Sequence, residues 1–109
     1  MKGFIYNITF VTSADRECAV MDYLVSVVMP HVFPHDASVK FDGIRKVVEA
    51  GGEKVSDGDG VSIALSAFID TLNQAHTWHD EILIPALDDF NQAFGDNALF
   101  FITLLENLR

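Results

Sequence analysis

Basic residues are scarce in this chain and cysteine is almost absent. Seven Lys and Arg stand against sixteen Asp and Glu, a formal net charge of −9. Such a surface repels phosphate backbones and no basic run offsets it, so no nucleic-acid partner is expected. One cysteine, Cys18, excludes an internal disulfide and fits a reducing compartment. No apolar run approaches the ~18 residues of a membrane span, so no membrane partner is expected. Met1-Lys2-Gly3 leads directly into an alternating segment, without a continuous apolar stretch or a small-residue cleavage site. No signal peptide is therefore expected, and the location is read as cytoplasmic. Nothing resembles a nucleophile triad or a phosphate loop. Asp57-Gly58-Asp59-Gly60 starts like a calcium loop, but Val61 and Ser62 replace a ligand and the turn glycine, and Phe68 replaces the closing Glu. No metal and no cofactor is expected.

Apolar residues are what the chain has in quantity. They make up 50% of its 109 residues and include nine Phe, enough for one domain, 1–109, to fill a core without staples. A mean hydropathy of +0.24 is high for a small monomer and points to apolar surface buried against a partner.

Phe4 to Val11 alternates Phe4, Tyr6, Ile8, Phe10 with Ile5, Asn7, Thr9, Val11. All but Asn7 are β-branched or aromatic, which predicts a central strand covered on both faces. Thr12 or Ser13 then caps a helix whose apolar positions Cys18, Met21, Leu24 or Val25, and Val28 share one stripe. Pro30 predicts a kink or end near Met29. Val39 to Val48 reads as a second strand with one charged face, and Glu49 to Gly60 as a long hairpin loop. Val61 to Phe68 is the third strand. Asp70 or Thr71 caps a second helix that Pro85 interrupts and Gly95 closes, and Leu99 to Leu105 is the last strand.

The order β-α-β-β-α-β predicts a ferredoxin-like α+β domain: a four-stranded antiparallel sheet with two helices on one face. Right-handed crossovers place strands one and three in the centre, and four and two at the edges. The most apolar strand thus falls at an edge, with one sheet face uncovered. A second copy packed sheet to sheet resolves that conflict, so a homodimer is expected. Its interface is expected to use Phe4, Tyr6, Ile8, Phe101 and Leu105.

Tyr6-Asn7-Ile8-Thr9, Met29-Pro30-His31-Val32, Phe94-Gly95-Asp96 and Thr103-Leu104-Leu105-Glu106 together resemble the bacterial domain-of-unknown-function family 4286. The resemblance covers nearly the whole chain and is thin from Lys40 to Asp70. It implies a dimeric α+β-barrel-like ferredoxin fold and no particular activity.

Two histidine pairs, His31/His35 and His76/His79, offer chemistry. His76 and His79 share a helix face with Asp80 and Glu81 nearby, a spacing that can bind a metal but lacks further ligands. Pro34 breaks the other pair. The plain reading is exposed histidines. Asn7 is the one amide in strand one, and a buried amide needs a hydrogen-bond partner. Asn7, Trp78 and His79 outline a candidate sheet–helix cleft for a small-molecule ligand. In haem-degrading monooxygenases of this fold an Asn on strand one, a Trp on strand three and a His on helix two form the site. Asn7 matches and His76 or His79 fits, whereas strand three has no Trp. No catalytic residue is assigned, with Asn7, His76 and His79 the side chains that would carry any chemistry. The leading expectation is a non-enzymatic homodimeric binding or interaction module. The alternative is a cofactor-independent monooxygenase or isomerase of the dimeric α+β-barrel type.

Overall fold

The computed structural model describes residues 2–33, 38–54 and 60–109. Its main sheet contains β1 (Phe4–Thr12), β2 (Val39–Lys46), β5 (Val61–Ile69) and β6 (Ala98–Glu106). Their order is β2-β5-β1-β6, every neighbour antiparallel. With two helices packed on one face, this is the ferredoxin-like fold, with the predicted strands at the centre and at the edges. His35, Asp57 and Asp59 lie outside the described residues, so the calcium-like motif and the His31/His35 pair find no geometry here.

Alternation within β1 sorts its side chains. Tyr6, Ile8 and Phe10 point under the helices and are buried, while Ile5, Asn7, Thr9 and Val11 lie on the other face and stay half-buried. Two of the residues expected at a dimer interface, Tyr6 and Ile8, are thereby covered by the chain's own helices. Phe4 shares their side of the strand. Register explains the assignment: Ile8 lies between Leu65 and Ile102, both on the helix side. Phe101 and Leu105 pair with Thr9 and Ile5, and so stand on the uncovered face.

Both helices contain a proline that the pattern predicts as a break, and neither breaks. The first runs through a 3-10 turn (Ala14–Arg16), an α-helical stretch (Glu17–Tyr23), a π-helical turn (Leu24–Val28) and a last α-helical stretch (Met29–Val32). The second follows the same plan: Leu72–Trp78, a π turn at His79–Leu83, then Ile84–Phe94. Pro30 and Pro85 each sit at the second residue after a π turn. A proline has no N–H for the carbonyl four residues earlier, and its ring crowds that carbonyl. One extra residue in the preceding turn relieves the crowding and lets the helix continue.

The predicted loop after β2 is also more ordered than its composition suggests. Glu49–Ala50 (β3) and Glu53–Lys54 (β4) pair as a small hairpin. Its turn residues, Gly51 at φ 62° and Gly52 at φ 83°, supply the two positive φ angles a tight hairpin turn requires. No helix among the described residues is long and apolar enough to cross a membrane.

The core lies between sheet and helices, and Phe90 is its hub. It is fully buried, with ring centroids 4.9 Å from Phe10, 4.9 Å from Phe94, 5.8 Å from Tyr23 and 6.3 Å from Phe100. Phe90→Ala is expected to lower the unfolding free energy by about 3–5 kcal/mol. Urea denaturation checks this, and a loss below about 1 kcal/mol would mean that the ring is not packed between the two layers.

Candidate functional site

The second helix carries most of the candidate chemistry. Thr71 starts it: its hydroxyl accepts from the Gln74 backbone N–H (3.2 Å) and donates to Gln74 Oε1 (3.0 Å). This Thr-Leu-Asn-Gln start is a capping-box sequence. It settles the choice between Asp70 and Thr71, and it fixes the rotation of the first turns.

That rotation drives Trp78 inward. Its indole Nε1 donates to the Val32 carbonyl oxygen at 2.9 Å, a buried bond between the two helices. Carbonyls in the last turn of a helix lack intrahelical partners, so the indole satisfies one of them while locking its own ring. Beside this bond a cleft of about 350 Å3 opens. Its apolar wall is Trp78, Val32, Val39 and Ile82, and its polar rim is Asn73, Gln74, Thr77 and Glu81. Helical spacing makes the rim: 73, 77 and 81 form one row of the helix and 74, 78 and 82 the next. Of the residues lining this cleft, sequence reasoning found only Trp78. The two rows were legible in the spacing, but without the position of Val32 and Val39 nothing marked them as a wall.

His79 lies one residue further round. Its ring stacks on Tyr6, with centroids 5.6 Å apart and planes 22° from parallel, and its Nδ1 is 2.8 Å from Asp80 Oδ1. Tyr6 also packs against Trp78 at 5.8 Å. Burial raises the Tyr6 phenol above its ordinary value of 10.0, and the Asp80 carboxylate pushes it the same way. His76 is exposed. No group of three or more His, Cys, Asp or Glu side chains able to hold a metal ion occurs among the described residues.

Asn7 does not join this group. It sits between Tyr6 and Ile8, both of which face the helices, so its own side chain is on the opposite face of the sheet. There the Ser66 hydroxyl donates to Asn7 Oδ1 across the strand pair at 3.4 Å. The expected cleft of Asn7, Trp78 and His79 is therefore not one site. Trp78 and His79 lie above the sheet and Asn7 below it. The cleft that does form runs toward the end of the first helix instead.

No family model matches the chain, and no curated protein matches it. Among solved structures, the de novo designed protein Foldit4 superposes with a TM-score of 0.54 at 9% sequence identity, over 95% of this chain and 96% of that one. At that identity the likeness establishes the fold alone.

The Tyr6 environment has a measurable consequence. Its folded-state value lies above its unfolded one, so the folded chain holds the phenol proton more tightly. Stability from this group is complete below pH 10 and is lost as the pH rises through the raised folded value. Thermal melts from pH 8 to pH 11 are expected to fall less steeply for Tyr6→Phe than for the unaltered chain. Parallel curves would show that the phenol is not held neutral by its surroundings.

Proposed function

We propose that the chain is a non-enzymatic homodimeric binding or interaction module whose uncovered sheet face packs against a second copy of itself. The composition of that face carries the reading. Four rows cross it: Leu105–Ile5–Phe68–Lys40, Thr103–Asn7–Ser66–Gly43, Phe101–Thr9–Ala64–Arg45 and Leu99–Val11–Ser62. They hold no carboxylate, in a chain with sixteen acidic residues. Among the described residues the paired positions of this face carry no acidic side chain, its two charges, Lys40 and Arg45, both lie on the edge strand β2, and its centre is uncharged, as the centres of interfaces are. Leu99, Phe101 and Leu105 are left 54%, 58% and 48% exposed. Full burial of such a side chain is worth about 1.5–3 kcal/mol, so roughly half of that remains to be gained at each.

The dimensions suit a second copy. Three strands of nine residues and one of eight, at about 3.3 Å per residue and about 4.8 Å apart, give a face of roughly 30 by 19 Å. Two such faces together bury on the order of 1,200 Å2, the lower end of stable interfaces. The two kinds of side chain are segregated across the face. Apolar side chains dominate the β6 side, Lys40 and Arg45 mark the β2 side, and a row of small polar groups runs between. The bulge at Phe41/Gly43 turns Arg45 back over Gly43, where a Cβ would collide with the guanidinium, and Arg45 Nη2 donates to the Asp42 carbonyl oxygen at 3.2 Å. The cation thus stays flat on the sheet rather than standing off it.

The enzymatic alternative required Asn7 and a histidine of the second helix in one cleft, and they lie on opposite sides of the sheet. Sedimentation equilibrium at low micromolar concentration is expected to give twice the 12.1 kDa chain mass. Phe101→Glu combined with Leu105→Glu is expected to give a folded monomer with an unchanged far-ultraviolet spectrum. A monomeric unaltered chain, or a double variant that remains dimeric, would overturn the reading.

A further inference from the structure

We infer that the cleft beside Trp78 is a binding site for a small organic cation, a primary amine on an apolar body. The cleft lies within one chain, so the inference does not rest on the dimer. Three observations carry it.

The first is size and shape. At about 350 Å3 the cleft falls within the range of small-ligand sites. Its wall is fixed: Trp78 is locked by its bond to Val32, and Val32 and Val39 are both buried. A wall already ordered adds little to the entropic cost of binding.

The second is chemistry. Among the described residues, Glu81 is the one charged side chain that lines the cleft. No ion pair to Glu81 occurs among the described residues. Thr77 and Asn73, one and two turns earlier on the same row, place a hydroxyl and an amide along the same rim. A carboxylate with neutral hydrogen-bonding groups on one side and the Trp78 indole with aliphatic groups on the other matches an ammonium group on an apolar stem. An anion would meet the Glu81 charge and the −9 field of the chain, which concentrates cations near the surface and excludes anions.

The third is the π turn at His79–Leu83, which contains both Glu81 and Ile82. Pro85 requires it, as Pro30 requires the one in the first helix, and here it sets where Glu81 and Ile82 fall. The extra residue widens the helix where the carboxylate and the apolar wall meet.

Trp78 is the single tryptophan of the chain, so intrinsic fluorescence excited at the indole reports on this cleft without labelling. The probes are n-hexylamine, n-hexanol and n-hexanoate at neutral pH. Hexylamine is expected to change the emission saturably, with an affinity about two- to fivefold above that of hexanol, the range for an exposed carboxylate such as Glu81. Hexanoate is expected to bind more weakly than either. Glu81→Gln is expected to remove the preference of amine over alcohol while leaving hexanol binding in place. Thr77→Phe, which fills the cleft from its rim, is expected to abolish the response to all three with the melting temperature maintained. Equal affinity for amine and alcohol in the unaltered chain would overturn the inference, as would a preference that survives Glu81→Gln. So would the absence of any saturable emission change, or a hexylamine response that persists in a folded Thr77→Phe variant.

Discussion

The strict two-residue period of β1 and β6 governs this structure. Each strand is apolar on both sides, and only one side meets the helices. Tyr6, Ile8 and Phe10 of β1, with Phe100, Ile102 and Leu104 of β6, make the floor of the core. Their alternates, led by Leu99, Phe101 and Leu105, are left outside by the same geometry. A one-residue slip would exchange the two sets, and the tight contacts of Phe10 and Phe100 around Phe90 set the register against it. Backbone pairing continues past β6, where the Asn107 N–H donates to the Gly3 carbonyl oxygen and Asn107 Nδ2 to that of Lys2. Asn107 thus pins the end of the strand whose outer side is most apolar.

Much of this is visible in the sequence because period and order suffice for it. Alternation identifies the four long strands, and β-α-β-β-α-β with right-handed crossovers leaves one sheet order. What period cannot reveal is which side of a doubly apolar strand faces the helices. Both sides of β1 satisfy the pattern, so Tyr6 and Ile8 were as eligible for an interface as Ile5 and Val11. Sheet register decided it, through partners some sixty and ninety residues away. The error over Asn7 has the same root. Its type marked it as special, but its side of the sheet, set by its neighbours, put it across from the second helix.

The prolines teach a different lesson. Read locally, Pro30 and Pro85 are breaks, and tertiary packing favours continuous helices. Each helix must reach along the sheet to cover it, and an added residue in a π turn costs less than exposing Val32 on one helix or Leu87 and Phe90 on the other. The cleft beside Trp78 is a consequence. The first helix survives past Pro30 long enough to offer the Val32 carbonyl to the indole, and the π turn before Pro85 brings Glu81 and Ile82 to the same place. Gly51-Gly52 shows the reverse case, in which a local signal for a tight hairpin was present and was masked by the charged, glycine-rich stretch around it.

The central claim is that the face left outside by strand alternation is the one that meets a second copy. Isotope-filtered NOE spectroscopy on a mixture of labelled and unlabelled chains tests it most directly. Intermolecular contacts are expected among Leu99, Phe101, Leu105, Ile5 and Val11, and none to Tyr6, Ile8 or Phe10. Intermolecular contacts confined to the helices, or none from the open sheet face, would contradict the account.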